Sequence, residues 1–150
     1  MNGFPDTSFL CSLYRRQVHS PRAIAFMTKL IGPLPVSTFL LLEFRQSLRL
    51  QARLHAQDKT KGFPKHEAAL MLRDLQSDLA AKVLEAVPVD WADVHQIAER
   101  LSAMHTDRNG HRLADIMHVA TALHLGAAEF LTFDDNQRLL ARAEGMKIPV

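Results

Sequence analysis

The chain is poor in cysteine and in long apolar runs, and each shortage excludes a class of protein. Cys11 is the only cysteine among 150 residues, so there is no internal disulfide and no multi-cysteine metal cluster. We therefore expect a reducing, cytoplasmic setting. Even the largely apolar stretch "FLLLEF" is far too short to span a bilayer. The N-terminal "MNGFPDTSF" has no basic region followed by a long apolar stretch, so we expect no signal peptide and no membrane association.

Neither sign of charge dominates, and the composition is that of a folded protein. Eighteen lysines and arginines stand against sixteen acids, which gives a net charge of +2. This mild basicity is compatible with a polyanionic partner without requiring one. Apolar residues make up 47% of the chain, which argues against disorder. At this length we expect one domain covering residues 1–150.

Short apolar segments alternate with helical patterns along the chain. Strands are expected near residues 3–5, 33–37, 86–90 and 129–133, with "KIPV" as a fifth. Helices are expected at about 8–16, 21–30, 38–56, 65–84, 91–105 and 113–126, with a short one after the fourth strand. This alternation predicts an α/β fold in which a parallel sheet has helices on both faces. In such sheets ligands bind outside the carboxyl ends of the strands.

Turn and cap residues refine these boundaries. Ser37 or Thr38 is expected to cap the long third helix, and Gly126 to end the helix before the fourth strand. Asp90 and Asp93 form a capping-box-like pair at the start of the helix after the third strand. The polar "TDRNG" at 106–110 is expected to be a loop.

Four acids lie where strands are expected to end. Asp6 follows the first strand, Asp134 follows the fourth, Asp115 opens the helix that leads to the fourth, and Glu43 lies about two turns into the helix after the second. All four can project toward one edge of the sheet. Ionised carboxylates that share a site repel one another unless a cation joins them. Oxygen-only ligation suits Mg²⁺ or Mn²⁺, which activate water and stabilise phosphate oxygens during displacement.

Each acid also has a structural interpretation. Asp6 can cap a helix, Asp115 can be a first-turn acid favoured by the helix dipole, and Asp134 or Asp135 can cap the last helix. Glu43 is harder to explain in this way, because apolar side chains lie three and four positions before it on the same helix face. Its carboxylate needs a lysine, an arginine or a metal ion as partner.

Four segments together resemble one family. They are "FPDTSFLCSLY", "VSTFLLLEFRQSLRL", "GHRLADIMHVATALHLGA" and "EFLTFDDNQRLLA", and in this order they are similar to PIN-domain nucleases, above all to the VapC-like toxins of type II toxin–antitoxin modules. The resemblance covers nearly the whole chain and is weakest at about 57–90. It implies a three-layer α/β/α sandwich with a mostly parallel sheet of order 3-2-1-4-5. That order brings Asp6 and Asp134 together.

The resemblance also implies a function. It implies an endoribonuclease that uses Mg²⁺ or Mn²⁺ and leaves 5′-phosphate and 3′-hydroxyl ends. The acidic positions of the family match Asp6, Glu43, Asp115 and Asp134, as both catalytic and metal-binding residues. It further implies an RNA substrate, a cognate antitoxin protein and a homodimer. Whether the chain is a toxin or a housekeeping nuclease stays open at this point.

Two positions depart from the pattern of the family. Pro5 stands where an aliphatic residue is more usual, and it removes a backbone donor from the end of the strand. Gln137 stands where many relatives carry a further acid. The fourth acid is then Asp134 alone, or Asp135 shares its role; we prefer Asp134 because of its spacing from Thr132 and because Asp135 is better placed as a cap. These departures leave a non-catalytic PIN-like module that binds RNA or protein as the alternative.

Further polar residues are candidates for contacts around the site. Thr7 and Ser8 are placed to hydrogen-bond Asp6 or a metal-bound water, or else to cap a helix. Arg112 is placed to contact phosphate or neutralise an acid, and Asn136 to support the site or begin a helix. His118 lies on an apolar helix and is expected to be an interior residue. A basic stripe suited to the RNA backbone, or else a solvated helix face, is formed by Arg45, Arg49 and Arg53.

Overall fold

The computed structural model of the protein describes residues 3–150. Its strands are β1 (Gly3–Pro5), β2 (Leu34–Val36), β3 (Leu84–Ala86) and β4 (Glu129–Leu131). Its helices are α1 (Thr7–Tyr14), α2 (Ser20–Lys29), α3 (Thr38–Gln57), α4 (Lys65–Ala80), α5 (Trp91–Asn109), α6 (Leu113–His124) and α7 (Asp135–Ala143). Within the described part of the chain, no helix combines the length and apolar character needed to cross a membrane.

The contacts divide the chain into two compact units, and the first contains the ends of the chain. It comprises the described residues up to Phe9 together with Val87–Val150. Here β1 runs parallel to β4, with Phe4 opposite Phe130. A single parallel bridge joins Glu129 to Lys147, which is all that the structure shows of the expected fifth strand. Since β1 and β4 are neighbours, the polar residues that follow them lie side by side.

The core of the first unit is built around α6. Eight consecutive residues of this helix, from Asp115 to Ala122, are buried. Phe4 and Phe130, which are fully buried, supply the apolar side chains of the two strands. A helix buried on nearly all sides is expected from its almost continuous apolar sequence. The one acid in this buried run, Asp115, therefore needs an explanation.

The second unit, Leu10–Ala86, holds the other strand pair. Here β2 runs parallel to β3, with Leu34 opposite Leu84. The side chain of Ser37 accepts a hydrogen bond from the backbone of Leu40 and caps α3, as expected. The pairs β2–β3 and β1–β4 are both part of the expected order 3-2-1-4-5. The parallel pairing and the alternation of strands and helices confirm the α/β class.

Some boundaries differ from the expected ones. The third strand is Leu84–Ala86 rather than 86–90, and Pro88, which has no backbone N–H, lies just beyond its end. The expected loop at 106–110 was wrong, because α5 continues to Asn109. Gly110 then ends the helix with φ 66°, a left-handed conformation that glycine adopts without strain.

Of the two residues expected to cap α5, only Asp90 does so. The Asp90 side chain accepts hydrogen bonds from the backbone N–H groups of Ala92 and Asp93. The carboxylate of Asp93 does not reach back in a capping box. It pairs instead with Nδ1 of His124 at 2.5 Å, which joins the start of α5 to the end of α6.

Candidate active site

Asp6 is a fully buried carboxylate at the end of β1. Its Oδ1 accepts from the Ser8 hydroxyl at 2.6 Å and from the Phe9 N–H at 3.0 Å. Its Oδ2 accepts from the Thr132 hydroxyl at 2.5 Å. Burial raises the pKa of Asp6 above its ordinary value, although these three hydrogen bonds lower it in part. The hydrogen bond from Phe9 shows that Asp6 caps α1. Burying a carboxylate is costly, however, so capping alone does not account for an acid at this position.

Two hydroxyl groups tie the end of β1 to the end of β4. While donating to Asp6, the Ser8 hydroxyl accepts from the Phe133 N–H at 2.9 Å. In the same way, the Thr132 hydroxyl accepts from the Asp134 N–H at 3.0 Å. The hydroxyls take the backbone donors that a longer strand would use, which explains why β4 ends at Leu131. Ser8 was a predicted site residue; Thr132 was not, although its spacing served to choose Asp134.

Asp134 lies at the N-terminus of α7. Its Oδ1 accepts from the Gln137 N–H at 2.9 Å, so Asp134 is the cap of this helix. The expectation that Asp135 would be the cap was wrong, since Asp135 is already the first residue of α7. Its side chain is 96% exposed and lies 3.7 Å from Arg138. Thr132 therefore holds the side chain of Asp6 and the backbone of Asp134 at one point.

Asp115 lies in the first turn of α6 and is only 3% exposed. Arg112, the residue just before the helix, donates from Nε to Asp115 Oδ2 at 3.3 Å. The two sequence interpretations of Arg112 were contact with phosphate and neutralisation of an acid. The structure shows the second. A guanidinium thus meets a buried carboxylate at the entrance to the central helix of the unit.

Two buried histidines interact electrostatically with these acids. His111, buried in the turn between α5 and α6, has its pKa lowered by burial and by His105, against Asp115 and Asp134, which raise it. Both acids therefore lie within electrostatic reach of one imidazole. His118 is buried on α6, which confirms it as an interior residue, and its electrostatic interaction with Asp6 lowers the pKa of that acid.

The chemistry of these donors fits a hard divalent cation. Among residues 3–150, no group of three or more His, Cys, Asp or Glu side chains is assembled as a metal site. Mg²⁺, however, is commonly bound by one or two carboxylates and keeps several of its waters. Asp6 and Asp115 are both buried carboxylates, and Asp134 has one oxygen that accepts no hydrogen bond within the described part of the chain. The donor set is all oxygen, as Mg²⁺ and Mn²⁺ prefer.

For the remaining predicted site residues, the structure gives the element and the degree of burial. Thr7 is the half-buried first residue of α1, and Asn136 is half-buried in the first turn of α7. Glu43 is half-buried on α3, in the second unit, and its place beside the other three acids stays a prediction. Arg49 and Arg53 are exposed on α3, and neither pairs with an acid in the described residues.

Comparison with known proteins identifies the class. The sequence model of the PIN domain matches residues 4–143. The chain belongs to the PIN domain family, and with it the predicted PIN-type α/β fold is confirmed. No curated protein sequence matches significantly.

Three crystal structures share this fold with low sequence identity. VapC20 of Mycobacterium tuberculosis, described as a sarcin-ricin loop cleaving toxin, is 19% identical with a TM-score of 0.67, covering 99% of this chain and 98% of its own. FitAcB from Neisseria gonorrhoeae is 18% identical with a TM-score of 0.65, covering 97% and 95%. PAE2754 from Pyrobaculum aerophilum is 17% identical with a TM-score of 0.57, covering 97% of each chain.

Proposed function

We propose that this protein is an endoribonuclease that hydrolyses RNA phosphodiester bonds with the help of Mg²⁺ or Mn²⁺. The observation that carries the proposal is the fully buried Asp6 carboxylate, held at the carboxyl end of β1 next to the residues that follow β4. An acid buried with a raised pKa is costly to the fold unless a cation is bound there. Ligands of parallel α/β sheets bind at this edge of the strands.

The proposed ligands are Asp6, Asp115, Asp134 and Glu43, the last of which rests on the family resemblance. A bound divalent ion makes a water molecule more acidic and stabilises the oxygens of the phosphate under attack. The protein itself holds the acids in place. Ser8 and Thr132 fix both oxygens of Asp6, while Thr7 and Asn136 are proposed to support the site from the first turns of α1 and α7.

The RNA substrate is proposed to meet basic residues of the chain. Arg112 lies beside Asp115 in the site itself. Arg49 and Arg53, with Arg45 one turn before them, present positive charge on α3 that is suited to backbone phosphates. Such contacts position RNA without reading its sequence.

The biological setting is proposed from the relatives. VapC20 is described as a toxin, and the chain shares its fold over almost its full length. We therefore infer that this protein is the toxin of a toxin–antitoxin pair, that it binds a cognate antitoxin protein, and that it forms a homodimer in the cytoplasm.

Cleavage of structured RNAs in Mg²⁺ or Mn²⁺ tests the proposal. The purified protein should cut, and Asp6→Asn and Asp115→Asn should lose activity, because each removes a charge that the cation requires. Asp107→Asn, on the exposed side of α5, is the matched control and should remain active. Full activity in either site variant would contradict the assignment.

A further variant separates the two roles of Asp134. Asn is as good a helix cap as Asp, so Asp134→Asn should preserve the stability of α7 while it removes the charge. Loss of cleavage with unchanged unfolding would support ligation. Unchanged cleavage would leave Asp134 as a cap alone.

A non-catalytic PIN-like module that binds RNA or protein is the second candidate. It is favoured by the fact that no three acids or histidines in residues 3–150 are assembled as a metal site. Calorimetric titration with Mn²⁺ distinguishes the two candidates. The nuclease should bind Mn²⁺ at a site that Asp6→Asn removes, whereas the module should show no such site.

A further inference from the structure

The stability of α6 does not explain why an arginine occupies position 112. It is the N-cap residue of α6, and its side chain makes no capping hydrogen bond. Helix N-termini favour Ser, Thr, Asp or Asn at this position, and the helix dipole disfavours a positive charge there. The arginine therefore needs another source of stabilisation or another use.

That stabilisation comes from a buried acid. The Arg112 Nε lies 3.3 Å from Asp115 Oδ2. The side chain of Asp115 is 5% exposed, whereas that of Arg112 is 78% exposed. The pair thus joins a carboxylate inside the protein to a guanidinium on a long side chain that lies largely in solvent.

The contact bears directly on metal binding. An oxygen that accepts from a guanidinium and also ligates a divalent cation brings two positive charges together. Like charges at such short range repel. Arg112 and the cation therefore compete for Asp115, and the arginine supplies the neutralising charge while the cation is absent.

We propose that Arg112 is a built-in counter-ion of Asp115 that the divalent cation displaces, and that the released guanidinium then binds a backbone phosphate of the RNA. This inference rests on the proposed function. It gives Arg112 two effects of opposite sign, because it weakens metal binding and strengthens substrate binding. A residue that merely supports the fold would not do both.

Calorimetry with Mn²⁺ tests the first effect. Arg112→Gln keeps a polar side chain of similar length but removes the charge, and it should bind Mn²⁺ about two- to fivefold more tightly, as expected for a largely exposed ion pair. Arg112→Lys keeps the charge and should resemble the wild type. Arg108→Gln, in the exposed last turn of α5, is the matched control and should not change the affinity.

Two further measurements complete the test. The rise of the melting temperature in saturating Mn²⁺ should be larger for Arg112→Gln than for the wild type, because tighter binding stabilises the folded state more. In the cleavage assay, the same variant should raise KM for RNA about two- to fivefold and leave kcat within about twofold.

The possible outcomes separate this inference from the proposed function. If the wild type binds Mn²⁺ and Arg112→Gln binds it equally or more weakly, the counter-ion role is wrong while the nuclease proposal stands. If KM does not change, the phosphate contact is wrong. If the wild type itself neither binds Mn²⁺ nor cleaves RNA, the proposed function fails first.

Discussion

Replacing Thr132 by Val isolates the hydrogen bonds that hold the buried carboxylate. Valine has nearly the same shape but no hydroxyl. The substitution removes the 2.5 Å bond to Asp6 Oδ2 and the 3.0 Å bond from the Asp134 N–H. Since Thr132 is fully buried, water cannot replace either bond without a rearrangement.

The expected cost follows from these two bonds. A hydrogen bond to a charged group contributes about 1.5–3 kcal/mol, and a neutral one contributes about 0.5–1.5 kcal/mol. We therefore expect Thr132→Val to lose about 2–4.5 kcal/mol of unfolding free energy at a pH at which Asp6 is ionised. The hydroxyl of Thr132 lowers the pKa of Asp6, so its removal raises that pKa further. Because protonation removes the charge that Thr132 stabilised, the deficit should grow as the pH rises through the pKa of Asp6 and shrink toward about pH 4.

Urea unfolding at neutral pH and near pH 4 measures this difference. Thr121→Val is the matched control, since Thr121 is also fully buried but donates only to the carbonyl of Met117 within α6. Thr132→Ser keeps the hydroxyl and should recover most of the loss. Equal destabilisation by Thr132→Val and Thr121→Val at both pH values would refute the reasoning.

Two further predictions concern a turn and an ion pair. Gly62 has φ 57°, and a Cβ there would lie 2.1 Å from the carbonyl oxygen of Gln51; Gly62→Ala should therefore cost clearly more than the roughly 1–2 kcal/mol expected for Gly110→Ala, which has open space. Urea unfolding checks this, and equal losses would contradict it. Burial alone would raise the pKa of Glu144. Hydrogen bonds from Arg100 and His105 nevertheless lower this pKa below the ordinary value of a glutamate. Stability from Glu144 is thus present above the ordinary glutamate pKa and lost as the pH falls through the lowered one, so Glu144→Gln should cost about 1 kcal/mol at neutral pH and progressively less below about pH 4. Melting temperatures across this range measure it, and a constant difference would argue against the pairing.

Local patterns predicted the elements whose formation depends on nearby residues. The strand Gly3–Pro5 was found as expected, and the cap of α3 at Ser37 was one of the two proposed. The helix opening at Leu113 also began as predicted, because its apolar run is bounded by clear start and stop signals. Hydrophobic periodicity and helix capping depend on residues close together in sequence, so the elements that they determine can be predicted from the sequence.

Hydrogen bonds to side chains explain one boundary that was missed, the end of the fourth strand. "EFLTF" has the composition of a five-residue strand, yet β4 ends at Leu131. Beyond that point the backbone donors of Phe133 and Asp134 bond to the hydroxyls of Ser8 and Thr132 rather than to a strand. Ser8 is more than a hundred residues away in sequence, so no local pattern contains this competition.

The candidate site likewise contains features that the sequence predicted and features that it did not. The positions of Asp6 and Asp134 at adjacent strand ends followed from the strand order that the family resemblance implies, because β1 and β4 pair as expected. The double role of Thr132 did not follow, because it depends on the direction of a buried hydroxyl. The burial of His111 beside His105 could not be predicted from the sequence either, since both residues resemble ordinary polar positions near the end of a helix.

The helix-cap interpretation of Asp6 agrees with the structure but does not explain the acid. A cap needs one oxygen that accepts from the backbone of the helix, and here Oδ1 does so with Phe9. Asn or Ser would cap α1 as well, without the cost of an ionised group in a fully buried place. If the side chain of residue 6 were Asn, its Oδ1 could keep both of its donors, and the Thr132 hydroxyl could turn to the Ser8 oxygen 3.3 Å away. The geometry thus tolerates a neutral side chain at this position. Helix capping alone therefore does not explain an acid at this position, whereas the proposed binding of a cation would.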